Sequence, residues 1–174
     1  MDILNDIDLT IFVWINRWVG TSKIFDSLMS LVVSDYLIPV SSSMVLFGIW
    51  FGWKTEAMRE LHQRSVIVAG VGVLITNLMV SASNLLYFRD RPFDVFDVNL
   101  LFYQPTDSSF PSNPVAIIIG ISLGIFIVNK KLGSAFYCIA IIYGFSRVFS
   151  GVCYPGDIIG GVVLGHLGFS LARH

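Results

Sequence analysis

Apolar positions in this chain gather into long, nearly unbroken runs, not the one-sided stripe of a helix that faces water. A helix needs about 20 mostly apolar residues to cross a hydrocarbon core. Five runs meet that need, at residues 35–53, 65–88, 114–128, 132–152 and 155–172, the first preceded by an amphipathic turn over 25–33. The run at 114–128 is the shortest, and Pro111 and Pro114 mark its start, where a helix tolerates a missing N–H. Residues 8–19 are too short and too polar to cross comfortably; with Trp14 and Trp18 they suit a helix lying in the membrane interface. A sixth, short crossing by that segment is the alternative. The pattern therefore predicts an all-α integral membrane helical bundle of about five transmembrane helices plus an N-terminal interfacial helix, with residues 1–174 forming one membrane domain.

Composition agrees. Charged residues make up 13% of the chain, about half the share a soluble domain carries, and 55% are hydrophobic. A net charge of −1 gives no basic field for nucleic acid. The start, Met1-Asp2-Ile3-Leu4, lacks a basic stretch and a cleavage site and reads as mature sequence. Small residues four apart, Gly120 with Gly124, Gly156 with Gly160 and Gly161 with Gly165, predict close helix–helix approach. No set of histidines and cysteines stands at metal-ligand spacing, and no cofactor is implied.

Charge also orients the chain. Lys54, Arg59, Arg64, Lys130, Lys131 and Arg173 fall on one side; Asp2, Asp6, Asp8 and Asp26, with Arg17, Lys23 and the mixed loop 89–111, fall on the other. The positive-inside rule puts the first side in the cytoplasm and the loop outside a multi-pass cell-membrane protein.

Polar residues converge on the outer side. Asn77, Ser81 and Asn84 share one face of the second run, pointing towards Arg91; interhelical hydrogen bonding is the plain alternative for the first two. Arg91 and Arg147 are guanidiniums suited to bidentate phosphate recognition. Ser112 and Asn113 open a helix whose N-terminus favours anions. Together these form a phosphate cradle.

The same three segments resemble the motifs of the type 2 phosphatidic acid phosphatase family, membrane lipid phosphate phosphatases related to vanadium haloperoxidases. Asn84 stands where the first motif has lysine, and Arg91-Pro92 completes it. Pro111-Ser112-Asn113-Pro114 replaces Pro-Ser-Gly-His. Ser146-Arg147, Cys153 and Asp157 replace Ser-Arg, His and Asp. The resemblance implies phosphate binding by Arg91, Ser112, the backbone at Asn113, and Arg147, with Asn84 at the lysine position. It places Cys153 at the nucleophile and Asp157 at that nucleophile's partner, and it implies no metal.

Both histidines and the lysine are absent, and Pro114 has no titratable group with which to protonate a leaving oxygen. The sequence thus predicts a membrane protein that binds a lipid phosphate or diphosphate headgroup without phosphohistidine catalysis. A divergent polyprenyl phosphatase working through Cys153 is one alternative; a structural subunit beside a membrane-protein partner, with its arginines neutralised internally, is another. Asp107, Ser108 and Ser109 are placed to contribute if the loop brings them in. Arg89 is a substitute for the missing lysine only if it reaches the cradle, and His166 is expected to satisfy a hydrogen bond inside the bundle.

Overall fold

A computed structural model describes residues 2–53 and 55–174, with side chains from Asn5 onward apart from Lys54. Lys54 and the Asp2 side chain, both counted in the charge asymmetry, lie outside the described residues. The helices run α1 (Asp2–Asn16), α2 (Lys23–Val32), α3 (Leu37–Phe51), α4 (Glu56–Leu86), α5 (Pro92–Val95), α6 (Asn113–Val128), α7 (Lys130–Phe149) and α8 (Pro155–Arg173).

Three helices, α4, α7 and α8, are long and apolar enough to cross a membrane by themselves. A fourth crossing requires α2 and α3 together, which are bent by 48° where they join. The run expected to span alone from residue 35 is therefore a 15-residue helix that needs its predecessor. The fifth expected span, α6, has 16 residues, about 24 Å of helix, bounded by Pro114 in its first turn and by Asn129, which caps α7. Its shortness goes with its place. It packs against α3, α4, α7 and α8, and Val115, Ile118, Ile119 and Ile125 are wholly buried. A helix apolar on every side is a core helix when neighbours surround it. Conversely, α4 starts nine residues before the expected Ser65, because the charged turns around Arg59 and Arg64 continue the helix past the apolar run.

Around α6 the bundle turns apolar side chains outward: Met44, Phe47, Leu74, Leu78, Val163 and Leu171 are all exposed. Such a surface belongs in lipid. The expected close approaches occur: a Cβ at Gly161 would stand 2.5 Å from the Ser112 carbonyl oxygen, and one at Gly165 would stand 2.6 Å from that of Ala116. Glycine there lets α8 press against the first turns of α6, which sets the spacing at the outer end.

The N-terminal helix α1 is about 22 Å long, too short to cross. It runs between the start of α8 and the end of α7. Phe12 packs on Val148 and Tyr154. The Asn16 amide donates to the carbonyls of Asn99 and Phe149, each at 2.9 Å, while Trp14 and Trp18 stay exposed.

Candidate functional site

At one end of the bundle, the loop after α4, the start of α6 and the turn between α7 and α8 enclose a cavity of about 220 Å³. Arg91, Ser112, Asn113, Arg147 and Cys153 line it, as the sequence predicts; Asp35, Tyr103 and Asp107 complete its polar wall. Asn84 and Asp157 do not line it.

Asn84 lies on α4 with its amide oxygen buried and unpartnered. The chain leaves helical geometry after Leu86, so Arg91 enters the cavity from a loop and not along the Asn84 stripe. Asn77, deeper on that stripe, accepts a 3.0 Å bond from the Asn113 side chain, which fixes the first residue of α6.

Arg91 is buried and spends all five guanidinium hydrogens inside the protein. Nε donates to the Asp107 carbonyl at 3.0 Å and Nη2 to the Asp107 carboxylate at 2.9 Å, with a longer bond to the Ser108 carbonyl. Nη1 donates to the Val152 carbonyl at 2.9 Å and reaches the Cys153 sulfur at 3.4 Å. Arg91 therefore ties the loop to the α7–α8 turn.

Arg147, equally buried, is held differently. Its Nη1 donates to Asp35 at 2.9 Å and to the Tyr143 hydroxyl, one turn earlier on α7, at 3.1 Å. Its Nε is buried without a partner, and so is the Ser112 hydroxyl. Both residues line the cavity, so a buried guanidinium nitrogen and a buried hydroxyl there lack the hydrogen bonds such groups ordinarily make. Tyr103 hydrogen-bonds Asp35 across the mouth of the cavity. That bond, with burial and the Asp35 charge, pushes its phenol up to about 12, so it remains a neutral donor at ordinary pH.

Asp157 is fully buried. It accepts from Arg89 Nη1 at 2.6 Å, from the Ser109 hydroxyl at 2.5 Å and from the Tyr154 N–H at 2.7 Å. Arg89 Nη2 donates to Asp8 of α1 at 2.7 Å, and Asp8 also accepts from the Gly156 N–H at 2.7 Å. The guanidinium lies 4.1 Å from the centre of the Tyr154 ring. Burial works against the Arg89 charge, but Asp157 and Asp8 outweigh it and hold the group above its ordinary range. Arg89 thus does not substitute for the lysine in the cradle; it neutralises the carboxylate expected beside the nucleophile.

Sequence reading missed Asp8, Asp35 and Tyr143. Asp35 looked like the polar boundary of an apolar run, and Asp8 like an interfacial charge. The available signal was charge balance, since two buried arginines and a half-buried one at a membrane edge demand acidic partners. Tyr143, four residues before Arg147, was also readable as a same-face neighbour. His166 bonds the Val162 carbonyl one turn back, as expected. Among the described residues, no group of three or more histidine, cysteine, aspartate or glutamate side chains is placed to hold a metal ion.

Comparison with known proteins follows the same outline. The undecaprenyl-diphosphatase BcrC of Bacillus subtilis is 29% identical over 143 residues, covering 82% of this chain and 70% of that protein. The crystal structure of Aquifex aeolicus LpxE superposes with a TM-score of 0.74 at 22% identity, over 96% of this chain and 94% of that one. A PAP2 type phosphatidylglycerolphosphate phosphatase from Bacillus subtilis superposes at 0.67, also at 22% identity, over 99% and 86%. These structures share the fold of this bundle, and the PAP2 superfamily model matches residues 65–174, the part that holds Arg91, Ser112, Arg147 and Cys153. This chain belongs to the PAP2 superfamily.

Proposed function

We propose that the outer-end cavity binds the phosphate group of a membrane lipid, and that the chain does not hydrolyse it through a phosphohistidine. The observation that carries this is that Arg147 and Ser112 line one cavity and that each has a buried polar atom, Nε and Oγ, without a hydrogen-bond partner. Both can donate to a phosphate oxygen, and charge-assisted donors of this kind are the stronger ones. Pro114 lines the same cavity where a general acid would have to stand, and it has no proton to give.

A lipid, and not a free anion, fits the surroundings. Pro39 lines both the cavity and an apolar groove along α3 formed by Val40, Met44, Phe47 and Gly48. A headgroup in the cavity thereby has a path for its chain into the bilayer. The undecaprenyl-diphosphatase name of a relative supports the same class, a phosphate on a long apolar chain. Charge asymmetry supports a cavity on the extracytoplasmic side.

A second reading rests on Cys153, whose sulfur lines the cavity 3.4 Å from Arg91 Nη1. A cysteine thiolate is a competent nucleophile. The test is phosphate release from a panel of lipid phosphates by purified protein in detergent, with Cys153→Ser and Arg147→Ala alongside. No release, combined with saturable lipid-phosphate binding that Arg147→Ala abolishes, is the expected outcome. Release that both variants eliminate would establish the cysteine phosphatase instead.

A further inference from the structure

The polar wall of the cavity is charge-matched before any ligand arrives. Arg91 is answered by Asp107 at 2.9 Å and Arg147 by Asp35 at 2.9 Å. Two formal positive charges meet two formal negative charges within one small cavity lined by all four residues. A doubly or triply charged phosphate would therefore enter a space holding no spare positive charge, where unbalanced charge is disfavoured. A headgroup with no net charge would not.

The two carboxylates are not equivalent. Asp35 is occupied on both oxygens, Oδ1 by Arg147 and Tyr143 and Oδ2 by Tyr103. Asp107 gives Oδ1 to Arg91, and its side chain is 63% exposed at the opening. Its second oxygen is free to accept from a ligand. Arg147 and Ser112, whose Nε and Oγ have no partner, line the same cavity.

We infer that the cavity selects a zwitterionic lipid headgroup, a phosphate that carries its own ammonium group, with the phosphate at Arg147 and Ser112 and the ammonium at Asp107. The inference rests on the lipid-phosphate reading and narrows its ligand class. It also separates this chain from a polyprenyl diphosphate, whose charge is all negative. An ammonium group is a compact donor with three hydrogens, suited to a carboxylate already held in place by Arg91.

The test uses the full-length protein in detergent with three short-chain lipids: phosphatidylethanolamine, phosphatidylglycerol and phosphatidic acid. Phosphatidylglycerol has the same phosphodiester linkage as phosphatidylethanolamine and a hydroxyl where that lipid has its amine. Phosphatidylethanolamine is expected to bind about fivefold tighter than phosphatidylglycerol, the scale of a partly exposed ion pair, and phosphatidic acid weakest. Asp107→Asn keeps an acceptor for Arg91 but removes the charge. It should weaken phosphatidylethanolamine and strengthen phosphatidylglycerol, an exchange that loss of folding cannot produce. Equal or tighter binding of phosphatidylglycerol or phosphatidic acid to wild type would overturn the zwitterion inference while leaving the phosphate site standing, as would an unchanged preference in Asp107→Asn. Failure of a folded sample to bind all three, and undecaprenyl diphosphate as well, would overturn the phosphate site and the inference with it.

Discussion

Two arginine clusters lie at the same end of the bundle, and they differ in what is left over. Arg89 is enclosed by Asp157, Asp8 and the Tyr154 ring, and each carboxylate is further anchored by a backbone N–H. Arg147 has Asp35 and Tyr143 on one nitrogen and a buried Nε with nothing. The first cluster is closed and ties α1, the loop after α4 and α8 together. The second is open towards a cavity. Identical side chains in the same part of the membrane therefore divide into a staple and a site, and unspent hydrogen-bonding capacity separates them better than residue type does.

The largest effect that contrast implies is on stability, at Arg89. Arg89→Ala leaves the fully buried Asp157 without its cation. Removing one partner of a buried pair typically costs about 3–5 kcal/mol, and thermal unfolding in detergent should show a loss on that scale. A melting temperature within a degree or two of wild type would mean that the cluster is not a staple.

Arg147→Ala is expected to act on binding first. Hydrogen bonds to a charged group are worth about 1.5–3 kcal/mol, so lipid-phosphate affinity should fall by about 30-fold or more. Asp35 then loses its ion pair too, and some stability should go with it. Unchanged affinity in a folded Arg147→Ala protein would remove the cavity as the phosphate site.

Ser112→Ala sharpens the comparison because its hydroxyl has no partner to lose. Deleting a buried, unsatisfied group leaves stability level or slightly improved, whereas a neutral hydrogen bond to the ligand is worth about 1 kcal/mol, or roughly fivefold in affinity. A drop in melting temperature without a change in binding would make Ser112 a structural residue.

These contrasts also mark where sequence reading stops. Apolar run length located α4, α6, α7 and α8 because lipid imposes a requirement that composition alone expresses. Where the requirement is shared, it misled: α3 is short because α2 completes it across the 48° bend, and no single run records that. At the site, motif spacing brought Arg91, Ser112, Asn113, Arg147 and Cys153 to one cavity. It did not bring Asn84 and Asp157 to the cavity wall. The family pattern assigns those positions to the missing lysine and to the nucleophile's partner, and neither lines the cavity. A free Asp157 would be a buried charge without a partner; Arg89, five residues before the loop's Asp94 and 68 before Asp157 itself, supplies that partner through a contact invisible to local spacing.

Asp8 gives the smallest effect and the cleanest separation of the two clusters. Asp8→Asn leaves one acceptor oxygen where Asp8 has two, so it keeps the bond from Arg89 or from the Gly156 N–H and loses the other along with one negative charge, while Asp157 continues to hold the guanidinium. The loss should be about 1 kcal/mol, the lower range for a charged hydrogen bond retained in neutral form. It should be local: α1 is fastened at one end by Asp8 and at the other by Asn16, so faster amide exchange is expected in its first turns and not around Asn16. Lipid-phosphate affinity should stay within about twofold, since Asp8 does not line the cavity. If Asp8→Asn instead weakened binding as much as Ser112→Ala, the closed cluster would be part of the site, and the division between staple and cavity would fail at its boundary.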